Sequence, residues 1–209
     1  MRSIALLSPS GGTGKTLAAL TIAEAWAEQG PCWLVDTDPK GAGSATDLLD
    51  RADPQPGEAF QWSKADRTTL LTVIGGATVP VVVDTAAGLG DALSIEVADA
   101  VSAVVVTGAI DQMRQIIQAI QTLQAGTETP VAALFTRSKS VTVGSALGEA
   151  VQSAVGALVP VLGVMRDLSE LGRVVLGRTL PGRVTDQRVR GDAETVVGNL
   201  GRWLEKVEV

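Results

Sequence analysis

The sequence predicts an α/β fold in which a doubly wound, mostly parallel sheet carries helices on both faces. Short apolar runs, of the length of buried strands, alternate along the chain with segments of helical periodicity. The runs are apolar throughout, as expected for strands that are covered on both sides. No linker or low-complexity tract interrupts the pattern, so we expect residues 1–209 to form a single domain.

The apolar runs predict six strands, at residues 4–7, 33–35, 79–83, 103–107, 131–136 and 159–164. Helices are predicted at 17–29, 45–49, 68–74 and 144–155, together with a helix that Asp111 caps and an amphipathic C-terminal helix. Between 39 and 65 only the short helix at 45–49 is predicted, followed by an irregular excursion. In the C-terminal helix, one stripe holds Val196, Val197, Leu200, Trp203, Leu204 and Val207, which we expect to pack on the sheet.

Charge is distributed unevenly along the 209 residues, whose net charge is −6. Residues 1–136 carry 7 Lys and Arg against 15 Asp and Glu, a net of −8, whereas residues 137–209 carry 10 against 8, a net of +2. The chain as a whole is therefore not a basic nucleic-acid binder. Any contact with a polyanion is expected to come from the C-terminal third.

The scarcity of His and Cys excludes several classes of chemistry. With no His and one Cys, the chain has no parts for a Ser-His-Asp triad, an internal disulfide or a cysteine metal cluster. Cys32 is expected to be a small buried apolar residue. No apolar run approaches the roughly 20 residues of a membrane span, and no signal peptide is recognisable, so a cytoplasmic location is expected.

A glycine-rich segment after the first predicted strand is the strongest functional signal. It reads Ser-Pro-Ser-Gly-Gly-Thr-Gly-Lys-Thr at residues 8–16, between a strand and a helix. A loop in this context cradles phosphates with its backbone N–H groups, its Lys reaches the β- and γ-phosphates, and its Thr ligates Mg²⁺. Pro9 stands where the usual pattern begins with Gly. The residues expected to bind the nucleotide here are Ser10, Gly11, Gly12, Thr13, Gly14, Lys15, Thr16 and Leu17.

Acidic residues end two predicted strands, where an open parallel sheet binds its ligands. Asp84 ends an apolar strand, as does the carboxylate that holds Mg²⁺ in phosphate-loop nucleotide sites. Asp36 is predicted to lie beside Mg²⁺, and Asp38 to orient the attacking water. The metal ligands predicted are therefore Thr16, Asp36 and Asp84, and the catalytic residues Lys15, Asp38 and Asp84. The alternative is that these Asp residues cap turns or helices.

Three segments resemble the nucleotide motifs of the ParA/MinD ATPases, known as the deviant Walker A, A′ and B motifs. They are Gly-Gly-Thr-Gly-Lys-Thr at 11–16, Val-Asp-Thr-Asp-Pro at 35–39 and Val-Asp-Thr-Ala-Ala-Gly at 83–88. The resemblance covers nearly the whole chain and is closest to the short type without an N-terminal helix-turn-helix. It implies a phosphate-loop ATPase fold, with ATP and Mg²⁺ as ligands. By position it implies adenine-side contacts from Thr136, Arg137 and Arg166.

The resemblance also implies partners. Members of the family form a homodimer on ATP, bind double-stranded DNA non-specifically, and are stimulated by a partner protein that releases them. For this chain it implies a cytoplasmic, nucleoid-associated ATPase that positions a cargo, with no membrane contact. The partner would be a small cargo-adaptor or centromere-binding protein. Cargo and partner identity cannot be derived from the sequence.

Ser10 marks a departure from the family pattern. The family places a signature lysine immediately before the Gly-Gly pair, where it reaches across the dimer to the partner's phosphates. A serine cannot supply that positive charge, so turnover is slow or another cation, such as Lys40, Lys139 or Arg137, replaces it. Serine at this position is similar to the carboxysome-positioning McdA type, which is the leading expectation, and plasmid partition is the second.

Arginines recur through a glycine-broken segment, residues 167–191. Those predicted to contact DNA phosphates are Arg173, Arg178, Arg183, Arg188 and Arg190. Such contacts would give weak, salt-sensitive binding of roughly 10⁻⁴–10⁻⁶ M per protomer. The alternative is a solvated surface with local ion pairs. The segment has no aromatic residue, so stacking on single strands is not expected.

Three other functions stay open from the sequence. A MinD-like membrane-associated ATPase would need a basic amphipathic tail, but the C-terminal helix carries Glu194, Glu205 and Glu208 against Arg202 and Lys206. A metabolic ATP-dependent ligase or synthetase of the same fold would need a substrate pocket, for which 39–65 is the available segment. A module that binds nucleotide without hydrolysing it is compatible with Ser10.

Overall fold

A seven-stranded, entirely parallel sheet forms the centre of the molecule in a computed structural model that describes residues 2–38, 44–52, 57–88, 92–138, 145–166 and 187–207. The strand order is β3-β2-β4-β1-β5-β6-β7. The strands are β1 Ser3–Leu7, β2 Cys32–Asp36, β3 Phe60–Lys64, β4 Val81–Asp84, β5 Ala103–Ala109, β6 Val131–Ser138 and β7 Val161–Arg166. The doubly wound parallel sheet predicted from the sequence is confirmed.

The helices of the described residues cover both faces of this sheet. They are α1 Lys15–Ala27, α2 Ala45–Asp50, α3 Arg67–Gly76, α4 Ala92–Ala100, α5 Met113–Gly126, α6 Ala146–Gly156 and α7 Gln187–Lys206. Helices α1, α2 and α7 share one apolar cluster with the sheet, and α3, α4, α5 and α6 share the cluster on the opposite face. Strands β1, β4 and β5 are buried along almost their whole length, which explains their uniformly apolar sequences.

Two elements were not predicted from the sequence. Strand β3 lies within the segment expected to be irregular, and α4 follows β4 without having been predicted. The expected cap of α5 by Asp111 is wrong: residues Ile110–Gln112 form a 3-10 turn, and Gln112 precedes the helix without a side-chain cap.

Helix α7 packs on the β7 side of the sheet, as its apolar stripe predicts. Val196, Leu200, Trp203 and Leu204 are buried in the same cluster as Leu162 of β7. Asn199 donates a hydrogen bond of 2.7 Å to the Leu162 carbonyl. The apolar face of α7 is therefore part of the core.

Candidate functional site

The glycine-rich segment lies at the carboxyl edge of the sheet, between β1 and α1. Strand β1 sits between β4 and β5, so the segment leaves the sheet at its centre. Gly12 and Gly14 have φ of 72° and 84°, which residues with a side chain rarely adopt. These two glycines let the backbone wind tightly around Thr13 before α1 begins at Lys15.

Lys15 is buried and reaches across to the end of β4. Its Nζ donates a 2.5 Å hydrogen bond to Oδ1 of Asp84, and a second to the carbonyl of Thr85. The side chain of Lys15 is 7% exposed and that of Asp84 is not exposed. The phosphate loop and the acidic strand end, predicted separately from two motifs, therefore form one buried ion pair.

The electrostatics of Asp84 are set by opposing effects. Burial raises the pKa of its carboxyl group, the Lys15 ammonium and the Thr16 hydroxyl lower it, and the Asp36 carboxylate raises it further. The net direction is upward. Asp36 and Asp84 lie opposite each other in the register of β2 and β4, so two carboxylates adjoin at this edge. An arrangement of this kind favours a nearby cation.

Two buried oxygens of the site have no hydrogen-bond partner among the described residues. They are Oδ2 of Asp84 and Oγ of Ser10. Buried polar atoms are normally satisfied, so such atoms indicate a position where a ligand binds. A carboxylate oxygen beside the Thr16 hydroxyl is the donor set that Mg²⁺ takes in nucleotide sites, and the residues present therefore fit a magnesium-bound phosphate group.

Asp36 is engaged by the chain itself. Its Oδ1 accepts a 2.9 Å hydrogen bond from the Asp38 N–H, and its Oδ2 accepts from both the N–H and the hydroxyl of Thr46, at 3.1 and 2.7 Å. The carboxylate thus joins the end of β2 to the first turn of α2. A role of Asp36 at the metal stays a prediction, since both of its oxygens already accept hydrogen bonds.

The remaining sequence-predicted residues are placed to different extents. Asp38 follows β2 directly and is half-buried. Thr136 is fully buried, and its hydroxyl donates to the Thr13 carbonyl in the phosphate loop. Arg137 and Arg166 are the last or next-to-last residues of β6 and β7. Their adenine-side roles stay predictions.

Of the predicted DNA-contacting arginines, two fall within the described residues. Arg188 and Arg190 lie in the first turn of α7, and the side chain of Arg190 is exposed. Arg173, Arg178 and Arg183 lie outside the described residues, as do Lys40 and Lys139.

Sequence reasoning missed three threonines that support the site. Thr46 holds Asp36, and the buried hydroxyls of Thr85 and Thr107 donate to carbonyls of β1 at Leu6 and Leu7. Their only sequence signal is a polar residue at or near the end of an apolar strand or at a helix start.

A comparison with protein families matches residues 4–178 to the CobQ/CobB/MinD/ParA nucleotide binding domain. The chain belongs to this family. The ParA/MinD resemblance carried by the three motifs is thereby confirmed, and the chain is a nucleotide-binding domain of the ParA/MinD ATPase type. A search among curated protein sequences found no significant match.

Solved structures show the same family fold at low sequence identity. Apo McdA from Cyanothece has a TM-score of 0.77 at 13% identity, with 96% of this chain and 100% of that chain covered. MinD from Pyrococcus horikoshii, solved with Mg-ADP, has a TM-score of 0.76 at 17% identity, covering 99% and 98%. MinD in the MinC:MinD complex of Aquifex aeolicus has a TM-score of 0.76 at 14% identity, covering 97% and 96%.

A membrane-spanning helix is not found in this family member: within the described ranges, every helix is too short or too polar to cross a bilayer.

Proposed function

We propose that this protein is a Mg²⁺-dependent ATPase of the ParA type that dimerises on ATP, binds DNA non-specifically and positions a cargo with a partner protein. The observation that carries the ATPase part is the buried Lys15–Asp84 pair, with an unpartnered Asp84 oxygen beside the phosphate loop. A lysine and a carboxylate kept out of water at the centre of a parallel sheet are costly unless they serve a ligand. The relatives solved with Mg-ADP and with ATP support the choice of nucleotide.

The chemistry expected at this site is in-line attack of water on the γ-phosphorus, with the bond to the β-phosphate oxygen breaking. Lys15 exchanges its contacts with Asp84 and the Thr85 carbonyl for phosphate oxygens. Thr16 and Asp84 would hold Mg²⁺, which supplies positive charge to the phosphate oxygens. Asp38 orients the water, and its backbone is fixed through Asp36 at the end of β2.

The DNA-binding part of the proposal is supported by charge. The net charge changes from −8 over residues 1–136 to +2 over residues 137–209, and Arg190 presents an exposed guanidinium at the start of α7. A dimer would join two such weak patches, so that DNA binding follows the ATP-bound state by avidity. The McdA neighbour supports a carboxysome as cargo, with plasmid partition as the alternative. Nucleoid association follows from DNA binding.

Two variants test the ATPase assignment. Asp38→Ala is expected to bind ATP with wild-type affinity and to hydrolyse it at least about 100-fold more slowly, because positioned proton acceptors contribute about 10²–10⁴-fold. Lys15→Ala is expected to lose ATP binding. The measurements are equilibrium binding of a fluorescent ATP analogue and phosphate release over hours, with DNA present and absent. Normal turnover in Asp38→Ala removes Asp38 from its role, and unchanged ATP affinity in Lys15→Ala refutes the site.

A further inference from the structure

Three buried threonines at the carboxyl edge donate their hydroxyls to the main chain of β1 and the phosphate loop. Thr85, directly after β4, donates to the Leu6 carbonyl at 2.7 Å, and Thr107 of β5 donates to the Leu7 carbonyl at 3.2 Å. Thr136 of β6 donates to the Thr13 carbonyl. Each hydroxyl satisfies a buried carbonyl, so each contributes to stability.

Thr136 differs from the other two in what it holds. Thr85 and Thr107 belong to the chain on either side of β1 and contact the strand itself, whereas β6 is separated from β1 by β5. Thr136 therefore reaches past β5 to the loop, across 123 positions of sequence. Its side chain and that of Thr13 are both buried, at 0% and 2% exposure. The contact fixes the loop and not the sheet.

The peptide that follows Thr13 translates this contact into the orientation of a loop donor. In a planar trans peptide, the C=O of Thr13 and the N–H of Gly14 point in opposite directions. When Thr136 holds the carbonyl inward, the Gly14 N–H faces away from the sheet interior. The positive φ angles of Gly12 and Gly14 on either side make rotation of this stretch sterically cheap, so an external contact is needed to hold it.

We propose that Thr136 is a positioning residue of the phosphate loop, which orients the Gly14 N–H toward the bound phosphates through the Thr13 carbonyl. The inference rests on the proposed nucleotide site and changes the role of Thr136 from an adenine contact to a loop support. A hydroxyl has a single proton, and that of Thr136 is committed to the loop. The energetic contribution of Thr136 then belongs to the phosphates and is independent of the base.

The experiment compares two probes and three variants of the full chain. The probes are ATP and inorganic tripolyphosphate, which has phosphates but no base, each titrated as a competitor of a fluorescent ATP analogue. Thr136→Val removes the hydroxyl at nearly constant volume, and Thr136→Ser retains it. Thr107→Val is the matched control, because it removes a buried hydroxyl bonded to β1 and leaves the loop contact in place. The unfolding free energy of each variant is measured in urea.

We expect Thr136→Val to weaken ATP and tripolyphosphate by the same factor, about tenfold, since a buried carbonyl of the loop loses its donor. Thr136→Ser is expected to restore both affinities to within about twofold of wild type. Thr107→Val is expected to lose stability comparably while it keeps both affinities.

Three results would overturn the inference. One is unchanged affinity in a folded Thr136→Val. Another is weakening of ATP alone, which assigns Thr136 to adenine, and the third is equal weakening in Thr107→Val, which reduces the effect to general stability. If the wild-type protein binds neither ATP nor tripolyphosphate, the proposed function fails as well, and that outcome is distinct from the other three.

Discussion

At the scale of single residues, the local motifs were predictable and their supports were not. Lys15 and Asp84 could be paired from the sequence because each motif ends a strand, and the ends of parallel strands meet at one edge. Thr46 and Thr136 could not be found this way. Their contacts join residues 10 and 123 positions apart that no motif links, and they depend on how the elements pack.

Cys32 permits a prediction about pH. Burial at the start of β2 raises the pKa of its thiol from an ordinary value of 9.0 to about 12. In the unfolded chain the thiol loses its proton above pH 9, whereas the folded chain keeps it until about pH 12. Ionisation then favours the unfolded state, so stability falls as pH rises between these values. We expect Cys32 to contribute a loss of about 1 kcal/mol between about pH 8 and pH 10.

The measurement is urea unfolding of wild type and Cys32→Ala at about pH 8 and pH 10. The variant, which has no thiol to ionise, is expected to lose about 1 kcal/mol less over this interval than wild type does. An equal loss in both proteins would show that the thiol ionises as readily in the folded chain as in the unfolded one.

At the scale of elements, the sequence predicts what is buried on both sides and misses what lies at an edge. The central strands are uniformly apolar and were predicted. Strand β3 is an edge strand with the sequence Phe-Gln-Trp-Ser-Lys, in which Gln61 and Lys64 are exposed, so its pattern resembles that of a loop. Helix α2 was predicted, but its attachment to β2 through Asp36 and Thr46 has no periodic signal.

The C-terminal helix α7 tests the assignment of apolar faces. Trp203 is 7% exposed and lies in the core cluster beneath α7. Trp203→Ala is expected to cost about 3–5 kcal/mol, because it leaves a large cavity between helix and sheet. Glu205→Ala, at an exposed position two residues away, is expected to change stability by less than about 0.5 kcal/mol. Urea unfolding of both variants provides the measurement. A small effect of Trp203→Ala would mean that the apolar face of α7 is available for other surfaces, including a membrane.

At the scale of the whole molecule, the fold follows from the sequence more directly than the function does. Alternating apolar runs and helices are sufficient to predict a parallel sheet with two helical layers, which the family comparison confirms. Cargo choice depends on surfaces that have no motif, and the arginine-rich segment is mostly outside the described residues. The charge difference between the two parts of the chain is the property that the proposed DNA binding depends on.

A charge-matched pair of variants would locate this binding. Arg190→Gln and Arg51→Gln each remove one exposed positive charge, the first from the C-terminal third and the second from the acidic part of the chain. These two serve as test and control in the measurement that follows. Removing one phosphate-binding side chain is expected to reduce the slope of log affinity against log salt by about 0.9.

The central measurement is binding of duplex DNA with ATP, with ADP and without nucleotide, over a series of salt concentrations. We expect tight binding with ATP alone, which weakens steeply as salt rises, with a smaller slope for Arg190→Gln and an unchanged slope for Arg51→Gln. Absence of DNA binding in every nucleotide state would contradict the account of a DNA-bound positioning ATPase.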